Sequence, residues 1–227
     1  MIVGNGLIAT AFKKKYIDNG KNVIFASGVS NSLETDPLKF SREKKLLTNT
    51  ILNYPDKQII YFSTILIGYK DNSYYRHKED MEELIKKTSK YYIIFRIPQL
   101  IGEKGNNNTI INYLVNTIKN KNEFNVYGNV KRAIIDVDDI VNLVHYCEDK
   151  VNCMVINIAG IEKISVIDLS KKIGYILNVE PLIKIQEKTE NDKWTLIDSD
   201  IFKDFLHALK IIPVGYTERI IKKYIEL

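Results

Sequence analysis

Residues 1–9 read Met1-Ile2-Val3-Gly4-Asn5-Gly6-Leu7-Ile8-Ala9, and the fold turns on them. A short apolar strand runs into Gly-x-Gly-x-x-Ala and then into a predicted helix over residues 7–17, closed by Asn19-Gly20. Strand, glycine turn and helix in that order are the context a dinucleotide-binding fingerprint requires. Gly4 permits a tight turn, Gly6 lets the backbone approach a pyrophosphate, and Ala9 lets helix pack closely on strand. The helix start at Leu7 and Ile8 offers N–H groups and the positive end of a dipole to an anion. A plain glycine turn between strand and helix explains the same residues, so the rest of the chain has to decide.

Reading outward, apolar runs alternate with amphipathic stretches. Residues 22–26 (N-V-I-F-A), 58–63 (Q-I-I-Y-F-S) and 91–96 (Y-Y-I-I-F-R) are predicted strands, and residues 41–52 and 74–89 predicted helices. Apolar strands separated by helices argue for a parallel sheet covered on both faces, joined by right-handed crossovers. The pattern changes after Arg96, where residues 102–108 (G-E-K-G-N-N-N) form a polar loop that leaves the sheet. Further helices are predicted over 110–118, 138–147, 166–176, 199–209 and 217–225, and strands over 124–128, 134–137 and 155–159. The expected fold class is α/β: a shortened, Rossmann-like parallel sheet with helices on both faces, plus a small C-terminal lobe. Residues 1–100 and 131–160 are assigned to the sheet domain, and 101–130 and 161–227 to the lobe.

A second motif lies further along. Tyr74 and Lys78 stand four residues apart in Y-Y-R-H-K, ten residues after a strand that ends in Ser63-Thr64. Positions i and i+4 share a helix face. Lys78 is therefore expected beside the Tyr74 phenol, where its charge favours the phenolate. A phenol tuned in this way acts as acid or base on a sugar hydroxyl or ketone, and Thr64 is expected to hydrogen-bond the same oxygen. The chain has fourteen tyrosines, so Tyr-x-x-x-Lys by itself equally fits an exposed Lys/Glu-rich helix. His77 is expected on a different, exposed face, Asp138 and Asp139 as a helix cap and loop anchor, and Trp194 in a core.

Composition narrows the classes. At 227 residues, 45% hydrophobic and 27% charged, the chain fits one globular domain with a small lobe. No apolar run approaches the roughly 20 residues of a membrane helix, and the start lacks a charged, cleavable leader. A cytoplasmic location and no membrane partner are expected. The net charge of +5 comes from scattered lysines alternating with acids. That reads as solvated helix faces and not as a nucleic-acid stripe, and it suits an anionic small molecule. Cys147 and Cys153 lack metal-ligand spacing. They are expected as buried free thiols in a reducing compartment, with no metal site.

With these residues in hand, the chain resembles the extended short-chain dehydrogenase/reductases, the nucleotide-sugar epimerase/dehydratase/reductase family, over nearly its whole length. G-N-G-L-I-A (4–9) resembles the family's glycine turn, and V-I-F-A-S-G-V-S-N-S (23–32) its V-I-H-L-A-A strand and loop. I-I-Y-F-S-T (59–64) is similar to the serine/threonine strand, and Y-Y-R-H-K to the catalytic helix. F-R-I-P-Q-L-I-G (95–102) resembles the strand leading to the substrate lobe. V-Y-G-N-V-K-R-A-I-I-D-V-D-D-I (126–140) is similar to V-Y-G…R-D-F-V-H-V-D-D, the most specific long match, and V-I-N-I-A-G (155–160) to V-Y-N-V-G-G. Two departures stand out. Val3 and Ala9 occupy the first and last glycine places of the turn. If 23–32 matches the family's fourth strand, the second and third strands are absent, and with them the residue that reads the adenosine ribose. Ala26-Ser27-Gly28 follows Phe25 with no acid, and Arg42 is the nearest arginine.

The resemblance implies an NAD or NADP cofactor held by Gly4, Asn5, Gly6, Leu7, Ile8, Ala26, Ser27, Gly28, Ser63, Tyr74, Lys78 and Pro98. It implies Thr64, Tyr74 and Lys78 as catalytic residues, Arg132 on the substrate pyrophosphate and Gln99 on the sugar or phosphate. The partner implied is a nucleotide sugar, with no nucleic acid. A homodimer is implied through helices 41–52 and 74–89, with Leu46, Leu47, Ile51, Met81, Leu84 and Ile85 as the contact. Ile65 and Leu66 follow Thr64, where the family's 4,6-dehydratases place Asp and Glu and its 3,5-epimerase/reductases place a Cys at the second position. What remains is redox at one carbon, a 4-epimerase or 4-ketoreductase in surface-polysaccharide sugar biosynthesis. A non-catalytic nucleotide-binding or scaffold relative is the other reading.

Overall fold

The structure, a computed structural model, describes residues 1–103, 109–128, 130–186 and 197–225. Most of the expected loop at 102–108, and Trp194, lie outside the described residues. In chain order the elements begin β1 (Ile2–Val3), α1 (Leu7–Lys15), β2 (Asn22–Phe25), α2 (Pro37–Asn53), β3 (Gln58–Thr64), α3 (Ser73–Thr88) and β4 (Tyr92–Ile97). They continue with β5 (Gln99–Ile101), α4 (Ile110–Lys119), β6 (Phe124–Tyr127), β7 (Lys131–Asp136), α5 (Val137–Cys147) and β8 (Met154–Asn157). The last are β9 (Lys163–Ser165), α6 (Val166–Leu177), β10 (Ile183–Gln186), α7 (Asp200–Ala208) and α8 (Tyr216–Ile225).

These elements fall into two compact units. The first comprises Met1–Pro98, Val137–Ala159 and Leu196–Leu209; the second Gln99–Asp136, Gly160–Thr195 and Lys210–Leu227. Two elements divide differently from the sequence reading. β7 belongs to the second unit because it pairs with β5 and β9. α7 belongs to the first because Ser199, just before it, bonds Asn157 at the end of β8 through both its hydroxyl and its amide.

The first unit is a five-stranded sheet in the order β1-β2-β3-β4-β8, and every pairing is parallel. β2 is buried along its whole length, as expected of a strand covered on both faces. On one face Val23, Phe25, Ile59, Tyr61 and Ile94 pack against Leu47 and Ile51 of α2 and Met81 and Ile85 of α3. On the other, Phe62 packs between Phe12 of α1, tilted with ring centroids 5.6 Å apart, and Phe95 of β4, stacked at 6.1 Å. Leu47, Ile51, Met81 and Ile85 are thus core residues, with Leu46 and Leu84 packed partly against them. They close this unit, so the face expected for a two-fold contact packs on the unit's own sheet. Among the described residues no strand pairs with the outer edge of β1.

Helix starts are set by caps. α2 begins at Pro37, earlier than expected, because the Asp36 side chain accepts from Leu38 N at 2.9 Å and proline suits the first helical position. α3 begins at Ser73, where the Asn72 side chain accepts from Tyr74 N at 2.9 Å and Tyr75 N at 3.1 Å.

In the second unit β5 runs parallel to β7, which is antiparallel to β9, and β6 runs parallel to β10. β5, β9 and β10 are three or four residues long, too short for a period of two to stand out in the sequence. α4 and α8 pack against α6.

Candidate active site

The glycine turn is built as its sequence demands. Gly4 has φ +129°, and a Cβ there would lie 2.3 Å from the Ala26 carbonyl oxygen, so backbone and space both require glycine. Gly6 is the N-cap of α1 with extended backbone, and a Cβ would meet nothing within 4 Å. The approach to the first N–H groups of α1, at Leu7 and Ile8, is open on that side, with Asn5 exposed beside them. Ala9 is fully buried. After β2, the Arg42 guanidinium reaches back to Ser27, donating to its hydroxyl at 3.2 Å and its carbonyl at 2.8 Å. Arg42 lies in the second turn of α2, not at its start.

The buried face of α3 carries Tyr74, Tyr75, His77, Lys78, Met81, Glu82 and Ile85. Lys78 is 2% exposed and Glu43, from α2, is 0% exposed. The Lys78 ammonium donates to Glu43 Oε1 and to the Tyr61 hydroxyl, both at 3.1 Å, and the Tyr61 hydroxyl donates to Glu43 Oε1 at 2.7 Å. Glu43 Oε2 accepts the Val29 N–H at 2.6 Å and lies 3.0 Å from His77 Nε2. A Cβ on Gly28 would stand 2.6 Å from Lys78 Nζ and 3.0 Å from Glu43 Oε1. Gly28 therefore covers this ion pair closely, and a side chain there would displace the Lys78 ammonium.

The electrostatics follow. Burial resists the charge on Glu43, yet the Lys78 ammonium and the hydrogen bonds from His77, Val29 and Tyr61 outweigh it, holding the carboxyl at about 2 against an ordinary 4.5. Burial, and then Glu43, pushes the Tyr61 phenol well up. Tyr74 is also pushed up, by burial first and then by Tyr75 and Glu43. This corrects the expectation of a lowered phenol. Lys78 Nζ lies 5.9 Å from the Tyr74 ring centroid, but its charge is already partnered by Glu43. His77 is also corrected: position i+3 shares a face with i. It is buried, with its ring 4.7 Å from that of Phe40.

At the end of β3, Thr64 Oγ1 accepts the Leu66 N–H at 3.3 Å. Ser63 is 3% exposed, and its hydroxyl has no hydrogen-bond partner among the described residues. Pro98, half-buried, ends the first unit.

The model of the NAD dependent epimerase/dehydratase family matches residues 22–159, more than half of the chain. The chain belongs to that family. The matched span contains Ala26, Ser27, Gly28, Glu43, Ser63, Thr64, Tyr74, Lys78, Pro98, Gln99 and Arg132, while Gly4–Ile8 precede it. Solved structures of the same fold include Bordetella bronchiseptica WbmH in complex with NAD+, at TM-score 0.72 and 13% identity over 91% of this chain and 74% of that one. Another is a UDP-N-acetylglucosamine 4-epimerase from Methanobrevibacter ruminantium in complex with UDP-N-acetylmuramic acid, at TM-score 0.69 and 17% identity over 89% and 74%. Pseudomonas aeruginosa RMD complexed with NADPH aligns at TM-score 0.70 and 15% identity over 89% and 80%. No curated protein sequence matches the chain.

Of the remaining candidates, Gln99 and Arg132 lie in the second unit and Asp138, Asp139, Cys147 and Cys153 in the first. Gln99 is exposed at the start of β5, paired with Ile134, two residues along β7 from the half-buried Arg132. Asp138 and Asp139 sit in the first turn of α5, and Asp138 pairs with Lys15 at 2.5 Å. Cys147 is buried but Cys153 is exposed, contrary to expectation, in a left-handed turn with φ +53°. Among the described residues no group of three or more His, Cys, Asp or Glu could hold a metal ion, and no helix is long and apolar enough to cross a membrane.

Glu43 is the residue that sequence reasoning missed. Its signal was present: Glu43, Leu47, Thr50 and Ile51 form the buried stripe of α2 at the spacing i, i+4, i+7, i+8. A charge on such a stripe needs a buried partner.

Proposed function

We propose that this chain is an NAD(P)-dependent redox enzyme acting on a nucleotide sugar, of the 4-epimerase or 4-ketoreductase type, working in a reducing cytoplasm to supply surface-polysaccharide sugars. One observation carries the reading. The glycine turn, the Ala26–Gly28 loop and the α3 face meet within one unit: Gly4 abuts Ala26, and Gly28 covers the Lys78 ammonium. The residues present fit a dinucleotide. Gly6 leaves backbone open where a pyrophosphate would lie, and the buried Ser63 hydroxyl has a hydrogen bond still to make. A bound nicotinamide supplies the acceptor or donor of hydride.

In this reading the N–H groups of Leu7 and Ile8 hold the pyrophosphate. Tyr74 moves the proton of the sugar hydroxyl, with Thr64 bonding the same oxygen and Lys78 setting the local charge. Arg132 and Gln99 bind the nucleotide sugar. Ile65 and Leu66 offer no carboxyl pair for water elimination, which favours simple redox at one carbon. The test is turnover of UDP-glucose, UDP-N-acetylglucosamine and dTDP-glucose, and of 4-keto sugars with NADH or NADPH, by wild type and Tyr74→Phe. Turnover that survives unchanged in the Phe variant sinks the assignment.

A second reading, a non-catalytic nucleotide-binding relative, is favoured by the ion pair itself: without ligand, Lys78 is bound to Glu43 and the Tyr74 phenol is raised. Dinucleotide binding without turnover of any of these sugars selects it.

A further inference from the structure

The Lys78 ammonium has three neighbours that decide what it does: the Glu43 carboxylate, the Tyr61 hydroxyl and the backbone of Gly28. Glu43 is anchored on every side, by Lys78 and Tyr61 on one oxygen and by Val29 N–H and His77 on the other. Such a carboxylate cannot swing away without leaving donors unpaired in a buried place. Tyr74 lies on the same helix face, one turn before Lys78, and is itself buried.

We propose that Glu43 is a positioning residue for this chemistry: it fixes the Lys78 ammonium beneath Gly28 and offsets its charge, so that Tyr74 works beside a neutral ion pair and not a free cation. The inference rests on the proposed function for its meaning but not for its test.

The other groups facing the pair do not upset this balance. Tyr61 of β3 is neutral and donates to Glu43. Glu82, one turn beyond Lys78 on α3, is matched by Arg96 of β4 through two hydrogen bonds at 2.9 and 2.7 Å. Tyr75 stacks edge-on to Tyr74, is neutral until it ionises, and then raises Tyr74 in every variant alike. His77 remains, and it touches the carboxylate, not the tyrosine. Beside Tyr74 the charges that count are therefore those of Glu43, of Lys78 and, once it ionises, of Tyr75. A single unpaired cation at this range moves a phenol by about one to three pH units, so offsetting it is a large effect.

The test uses the full chain without ligand. Tyrosine labelled with ¹³C at Cζ reports phenolate formation by NMR, and Tyr74→Phe identifies the Tyr74 signal among the fourteen. In wild type, Tyr74 stays protonated through pH about 10, the ordinary midpoint. Lys78→Gln leaves the Glu43 carboxylate without its cation and raises that midpoint by about one pH unit or more, tenfold in phenolate per unit, whereas Glu43→Gln leaves a buried lysine that gives up its proton and keeps Tyr74 near wild type. The double variant, neutral like the wild-type pair, returns close to wild type. A purely structural role would lower melting temperature without moving the tyrosine signal.

A wild-type midpoint below about 10 overturns the proposal, as does an unmoved midpoint in folded Lys78→Gln. Equal midpoints in Lys78→Gln and the double variant overturn it as well, because neither leaves a buried cation unpaired and they differ only in the Glu43 charge. Failure of Tyr74→Phe to alter turnover would refute the enzyme reading and leave this titration standing.

Discussion

Glu43→Ala is the substitution whose effect on stability the structure fixes most closely. It removes the counter-ion of an ammonium that is 2% exposed, and it strips the acceptor from Tyr61 and Val29. Breaking a buried pair by deleting one partner costs about 3–5 kcal/mol. The carboxyl itself gives an independent figure. A drop from an ordinary 4.5 to about 2, at 1.36 kcal/mol per tenfold change in proton affinity, is about 3 kcal/mol. Against a total of about 5–15 kcal/mol, that is a large share, and for a chain of this size it lowers Tm by about 6–20 °C. Urea unfolding followed by circular dichroism measures it. The sign with pH is fixed too. The unfolded carboxyl binds protons more readily, so the contribution is complete above pH about 4.5 and is lost as pH falls toward about 2. Replacing both partners, Glu43→Leu with Lys78→Met, removes the unpaired charge and recovers most of the loss. A loss under about 1 kcal/mol in Glu43→Ala would mean that Lys78 finds water, and that the pair is not buried as described.

Tyr74→Phe cuts turnover by about 10²–10⁴-fold with the fold retained, because general acid–base catalysis contributes that much; circular dichroism and turnover check both halves. Gly4→Ala forces φ +129° on an alanine whose Cβ meets the Ala26 carbonyl. It costs about 1–3 kcal/mol from the backbone alone and abolishes NADH binding by fluorescence, whereas Gly6→Ala folds normally and weakens binding. Arg132→Ala raises KM for the nucleotide sugar more than it lowers kcat, since a pyrophosphate is unchanged by the reaction; steady-state kinetics check the split. NAD and NADP bind within about tenfold of each other, or 1.4 kcal/mol, and titration of both at one salt concentration tests this.

The sequence carried the parallel sheet plainly, because Val23–Phe25, Ile59–Phe62 and Ile93–Phe95 are continuous apolar runs that only a doubly covered strand explains. It carried the glycine turn for a similar reason, since the backbone angle at Gly4 and the space beside it admit no other residue. What it hid were relations between distant side chains. His77 and Lys78 look like surface residues of a Lys/Glu-rich helix until Glu43, thirty-five residues before Lys78, arrives to bury them. The short strands β5, β9 and β10 were hidden because their partners, not their own pattern, make them strands. The apolar residues of α2 and α3 were read as a dimer face because a stripe shows that something covers it, not what. The sheet of their own unit does.

The shortened sheet falls unevenly on the working parts. A Rossmann sheet runs 3-2-1-4-5-6. Removing its second and third strands leaves strand one at the edge, followed by its successors in chain order, and the observed order β1-β2-β3-β4-β8 has that form. The phosphate-facing turn survives such a loss, since it needs only β1, the start of α1 and the Ala26 carbonyl against which Gly4 packs. The α3 face survives as well, since β3, α2 and the Gly28 loop hold it. What disappears is the strand end that would read the adenosine ribose. Arg42 leans over the neighbouring loop, where two of its donors are engaged by Ser27. The deletion therefore weighs on how firmly and how selectively the adenosine half of a dinucleotide is held, and leaves the groups that handle the proton where the rest of the sheet puts them.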